Sequence, residues 1–134
     1  MRPEEIHALM SYRMQRSEES LRAAEIMLRS QMFAFAMNRI YYAMFYAVQA
    51  VLALKGVSFS KHGQVKAYLN RELIKTGILP MELGRLYNKV FEYRQKFDYV
   101  DFAEPDREMV VSYLGDAGRF VAAVDDYIGS NCRV

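Results

Sequence analysis

Cysteine is nearly missing from this sequence: Cys132 stands alone near the C-terminal end. It can close no internal disulfide, so the expected compartment is reducing and cytoplasmic. Histidine is almost as scarce. His7 and His62 are the only two, and neither belongs to a Glu-x-x-His or His-x-x-x-His pair on one helix face. Glu4 with Glu5 and Glu18 with Glu19 are adjacent in the chain rather than one turn apart, so each pair points in two directions. No metal and no cofactor is expected. Three prolines and seven glycines leave few breaks in regular structure, and there is neither a Gly-rich phosphate loop nor a Gly-x-Ser-x-Gly turn to present a nucleophilic serine. An excess of charge of one sign is lacking too. A formal net charge of +2 is too small for a general phosphate-binding surface, so any nucleic-acid role must be local. The opening residues, Met1-Arg2-Pro3-Glu4-Glu5, have no uninterrupted apolar core, and no export is expected. The most apolar stretch, Met32 to Leu54, approaches the length of a bilayer span, but Asn38, Arg39 and Gln49 interrupt it. A buried central helix is the better reading, with no membrane partner.

What remains is helical periodicity in a chain 52% hydrophobic. Met10, Met14, Ser17, Leu21, Ala24 and Leu28 advance by fours and threes, which predicts a first helix from about Glu4 to Ser30 with one buried face. From Met32 to Lys55 nearly every turn is apolar on all sides, so neighbours must cover this second helix; Gly56 supplies its stop. Ser60 is placed to cap a third segment, Lys61 to Thr76, with Val65, Tyr68, Leu69 and Leu73 as its apolar positions. Gly77 and Pro80 follow it. Leu83, Leu86, Val90, Tyr93 and Phe97 form a fourth stripe, and Asp106 starts a fifth helix carrying Val110, Leu114, Ala117, Val121, Val124 and Ile128. No run alternates as a strand does. The expected fold is all-α: one domain over 1–134, an up-and-down four-helix bundle with an additional short helix.

Two polar constellations stand out against this apolar pattern. Arg39, Tyr42, Tyr46 and Gln49 recur at steps of three, four and three and so line one face of the second helix. Their tyrosine rings could fill the core with Arg39 paired to a carboxylate, or the set could stack on and charge-pair with a nucleotide. The second constellation closes the fourth helix in Tyr93-Arg94-Gln95-Lys96-Phe97-Asp98-Tyr99-Val100-Asp101. Arg94 and Asp98 are spaced for an i, i+4 pair, while Arg94 and Lys96 supply donors suited to a phosphate. Spacing leaves both readings open in each case.

Three ordered blocks resemble the HEPN domain family, specifically its small stand-alone prokaryotic branch. They are Asn38-Arg39-Ile40-Tyr41-Tyr42-Ala43-Met44-Phe45-Tyr46-Ala47, then Ser60-Lys61-His62-Gly63, then Leu83-Gly84-Arg85 leading into Arg94-Gln95-Lys96-Phe97-Asp98-Tyr99-Val100-Asp101-Phe102. The resemblance implies a helical homodimer, frequently paired with a minimal nucleotidyltransferase partner in a toxin-antitoxin system, some members of which cleave RNA without metal. The active members carry Arg, a polar residue, a few variable residues and then His. Arg94 and Gln95 match, but Tyr99 stands where the His is expected. Imidazole trades a proton near neutral pH and a phenol does not, so Arg94 would hold the phosphate and Tyr99 would donate to it. His62 would replace the imidazole only if folding or dimerisation brought it beside Arg94. The resemblance also makes Tyr99 a conceivable nucleotidyl acceptor. Three functions follow as expectations: an RNA- or nucleotide-binding protein using Arg39, Tyr42, Tyr46, His62, Arg94 and Gln95; a metal-independent ribonuclease with Arg94 and Tyr99 as catalytic residues; or a non-catalytic dimeric scaffold.

Overall fold

The computed structural model describes residues 1–132, Cys132 by its backbone alone; the thiol of Cys132 and the last two positions of the expected 1–134 domain lie outside the described residues. Five α-helices account for the fold: α1 (Pro3–Arg29), α2 (Phe33–Lys55), α3 (His62–Tyr68), α4 (Met81–Tyr99) and α5 (Arg107–Cys132). The architecture is an all-α bundle, and none of the described residues forms a strand.

Pro3 opens α1 where its missing N–H costs nothing, with Glu4 and Glu5 in the first turn facing the positive end of the helix dipole. The helix ends at Ser30, followed by Gln31 at φ +60°. The Met32 N–H reaches back to the Met27 carbonyl at 2.8 Å, so the chain reverses tightly into α2. The buried face of α1 is Met10, Met14, Ser17, Ser20, Ala24 and Leu28. Ser20 takes the inner place expected for Leu21, because its hydroxyl returns to the Arg16 carbonyl at 2.8 Å and leaves no polar group unpaired.

Helix α2 is the hub. It packs against α1, α4 and α5, which explains why twelve of its residues are buried around its circumference. Contacts between Ser17 and Ala43 and between Arg13 and Gln49 run α1 antiparallel to α2. Pairs Asn38–Asp98 and Tyr42–Arg94 do the same for α2 and α4, and ring pairs Tyr93–Tyr113 and Tyr87–Phe120 for α4 and α5. The four long helices therefore alternate in direction, with α3 inserted before α4. Gly56 ends α2 at φ +69°, as a left-handed C-terminal stop requires.

The third segment departs from the expected single α-helix to Thr76. Its cap is Lys61 rather than Ser60, and the Lys61 N–H is met by the Gln64 side-chain carbonyl at 3.3 Å. After Tyr68 the ladder widens into a π turn over Leu69–Ile74, marked by the Lys75 N–H bonding to the Asn70 carbonyl five residues back. Asn70 anchors the turn to α4 through the Asn88 side-chain carbonyl at 2.9 Å. Gly84 lets the two segments close: a Cβ there would meet Ile74 Cγ1 at 3.0 Å and Asn70 Oδ1 at 3.2 Å. Asp106 caps α5 by accepting the Met109 N–H at 2.8 Å.

Among the described residues no helix is long and apolar enough to cross a membrane.

Candidate functional site

Antiparallel packing of α2 on α4 brings the two polar constellations together at one end of their seam. Arg94 points inward from the last turns of α4, its side chain only 12% exposed, with Nε 3.2 Å from Asp98 Oδ2. The i, i+4 spacing thus produces an ion pair, more sheltered than an ordinary surface pair. One terminal nitrogen of Arg94 donates to the Tyr42 hydroxyl at 3.2 Å. The guanidinium carbon lies 5.2, 5.5 and 5.9 Å from the ring centres of Tyr41, Tyr42 and Tyr99, within reach of cation–π attraction to all three.

Asn38 joins the two expected arginines. Its amide nitrogen donates to Asp98 at 2.9 Å, while its carbonyl accepts from Arg39 Nη2 at 2.7 Å and Nε at 3.0 Å. Arg39 pairs with this carboxamide rather than with a carboxylate, and its guanidinium stacks 4.8 Å from the Tyr42 ring centre. Arg39 also lines an open groove of about 260 Å³ with Arg16, Glu19, Ser20 and Ala23. A larger cavity, about 300 Å³, lies at the far end of α2 around Arg13, Ala53 and Val57 and shares no residue with this cluster.

His62 enters from the first turn of α3. Its Nδ1 is 2.7 Å from the Tyr41 hydroxyl, and its ring stacks on Phe45 at 4.4 Å between centres. Folding therefore brings His62 into the Arg94 cluster within a single chain, the condition on which its role depends. Burial pushes the imidazole below its ordinary pKa of 6.5, and the nearby Arg94 charge lowers it further. Burial likewise pushes the Tyr41 hydroxyl up to about 12, against smaller opposing effects of Tyr87 and Arg94.

The remaining expected residues are placed differently. Tyr46 sits on the edge of α2 facing α1, where Arg16 lies 5.5 Å from its ring centre; it reaches the cluster through 6.0 Å ring contacts with Tyr42 and Phe45. Gln95 is exposed on α4. Tyr99 is 72% exposed at the end of α4. No group of three or more His, Cys, Asp or Glu suited to a metal occurs among the described residues.

Spacing arguments missed Tyr41, Asn38 and the buried Tyr87. The usable signal was the neighbouring face of α2, Asn38, Tyr41 and Phe45, which also advances by three and four. Chemically the cluster offers sheltered donors and flat aromatic faces around one guanidinium, a combination that accepts a phosphate and a base.

Comparison with known proteins shows the family. A model of the HEPN domain matches residues 10–127. A UPF0332 protein of Thermotoga maritima is 42% identical over 120 residues, covering 90% of this chain and 91% of that protein. Two proteins of Methanocaldococcus jannaschii, named "Putative toxin MJ0142" and "Putative toxin MJ0605", are 41% and 31% identical. The first match covers 85% of this chain and 78% of the relative, the second 88% and 84%.

Proposed function

The chain belongs to the HEPN domain family, and from that premise we propose that it binds RNA or a nucleotide at the Arg94 cluster as the toxin-type half of a two-component system in the cytoplasm. Its partner in this reading is a minimal nucleotidyltransferase, and the working form is a homodimer. The names of the two archaeal relatives support the toxin class. The observation that carries the ligand assignment is the convergence on Arg94 of Tyr41, Tyr42 and Tyr99 rings, the Tyr42 hydroxyl and, through Tyr41, His62.

An entering phosphate exchanges for Asp98 at the guanidinium. Asn38, already bound to Asp98, retains that carboxylate, while bases stack on the aromatic faces. Arg39 supplies a second positive charge at the mouth. A second reading, metal-independent RNA cleavage, is favoured by the presence of an imidazole beside Arg94 in place of the family's His at the position of Tyr99.

RNA binding and cleavage in excess EDTA test both. Wild type retains RNA, and Arg94→Ala weakens it by about 10- to 100-fold, the worth of a hydrogen-bonded charge, at unchanged helix content and oligomeric state. Equal retention by both proteins leaves only the scaffold. Cleavage that disappears in His62→Ala supports the ribonuclease; retention without cleavage rejects it. Tyr99 is the nucleotidyl acceptor in this scheme, since its hydroxyl is on an exposed side chain. Incubation with an active partner and ATP raises the intact mass by nucleotidyl units, and Tyr99→Phe abolishes the gain; an unchanged wild-type mass rejects the acceptor role.

A further inference from the structure

The seam between α2 and α4 holds a row of three side chains whose protons can be counted. Tyr87 is completely buried, and its hydroxyl meets no partner in full hydrogen-bond geometry. Its ring centre lies 5.9 Å from that of Tyr41. Tyr41 is completely buried as well and stands 2.7 Å from His62 Nδ1. Both phenols keep their protons far beyond neutral pH, because burial raises them above the ordinary tyrosine value.

Two arrangements of these protons are possible. In one, His62 Nδ1–H donates to Tyr41, and the buried Tyr41 proton joins that of Tyr87 in having no acceptor. In the other, Tyr41 donates to Nδ1, and only the Tyr87 proton is left unpaired. A buried donor without an acceptor is the costlier state, so the second arrangement wins.

We infer that Tyr41 is a positioning residue that holds His62 as a neutral imidazole with Nδ1 accepting and the proton on Nε2. The half-exposed ring then presents a donor to a guest, beside Arg94 and the Tyr42 hydroxyl. Such a site takes phosphate oxygens and does not accept a proton at Nε2. The ligand half of this inference rests on the reading of the cluster proposed above; the tautomer half does not.

A second proton on His62 has to enter at Nδ1. Tyr41 then receives a hydrogen bond from Nδ1–H, and its own proton loses its acceptor. This bond therefore acts in the same direction as burial and Arg94, against the imidazolium. The other groups around the ring are Tyr42 on α2, Arg94 with its Asp98 counter-charge on α4, and Lys61 and Lys66 on the segment that carries His62.

Long-range 1H–15N spectra of the free, full-length protein read this directly, with His7→Gln used to assign the two imidazoles. In neutral wild type, His62 shows an unprotonated, hydrogen-bonded Nδ1 and a protonated Nε2, and it titrates below 6.5. Tyr41→Phe returns the Nδ1 resonance to its unbonded position and moves the midpoint up toward 6.5. Inorganic phosphate shifts the Nε2 resonance in wild type but not in Arg94→Ala. A proton on Nδ1 in the neutral wild type overturns the tautomer, as does an unmoved midpoint and Nδ1 resonance in Tyr41→Phe. An Nε2 resonance insensitive to phosphate removes the ligand. Since the tautomer is read without RNA, failure of the RNA experiment alone leaves it standing.

Discussion

Helix α2 presents two faces built on opposite rules. Toward α1 the contact is made by small side chains, Ser17, Ser20 and Ala24 meeting a face of α2 that carries Ala43, Ala47 and Ala50. Its buried hydroxyls are paired to backbone carbonyls, Ser17 to that of Ala43 across the contact at 2.5 Å and Ser20 to that of Arg16 in its own helix. Toward α3 and α4 the contact is made by Tyr41, Tyr42, Phe45, His62, Tyr87 and Arg94, joined through long polar side chains and leaving the Tyr87 hydroxyl short of a full partner. One face is held by shape and the other by a shared set of protons and charges. The difference separates the part of the molecule that maintains the bundle from the part that can respond to a ligand.

The sharpest way to break this contrast is to enlarge a small residue on the first face. Ala47→Leu forces extra methyl groups into a completely buried position and costs about 1–3 kcal/mol, read as a lower denaturation midpoint at unchanged slope. It leaves RNA retention per folded molecule unaltered, whereas Arg94→Ala does the reverse; a larger loss of stability from Arg94→Ala would reverse the assignment of the two faces.

The smaller effects come from pH, and both originate on the second face. Tyr41 is held at about 12 against an ordinary 10. The unfolded chain therefore releases this proton first, and stability falls as pH rises from 10 toward 12. His62 has the opposite sign. Its folded pKa lies below 6.5, so the unfolded chain binds the proton first; stability is complete above 6.5 and declines as pH drops below it. Thermal melts across both ranges check the signs. Tyr41→Phe removes that residue's alkaline contribution and flattens the acid one. Slopes identical to wild type would place the titrating groups elsewhere.

Much of the bundle was legible because its signal is periodic. The all-round apolar character of α2 announced a helix covered on every side, and the Asp106 and Gly56 boundaries stand where capping chemistry puts them. The π turn was not legible. A stretch such as Leu69-Asn70-Arg71-Glu72 has ordinary helical composition, and what opens its ladder is a tertiary fit: the Asn70–Asn88 bond and the absence of a Cβ at Gly84. The site was half visible for a related reason. The most apolar stripe of α4 included Val90, which is innermost, together with Leu83, Leu86, Tyr93 and Phe97, which are only half-buried, and left out the equally buried Gly84 and Tyr87. That small rotation turns Arg94 from a helix-end charge into the centre of the cluster. Tyr41 was hidden by abundance, since one tyrosine among ten shows nothing special until its hydroxyl is seen against His62.

The widened turn after Tyr68 governs the aim of the imidazole. A π turn holds one residue more than an α turn, and each residue of a helix advances the rotation by about 100°. With α4 gripping the turn at Asn70 and Gly84, shortening it by a single residue would swing the preceding coil through about 100° and carry His62 away from Tyr41. The heading of the ring thus depends on chain length eight residues downstream as well as on its neighbours Tyr41 and Phe45.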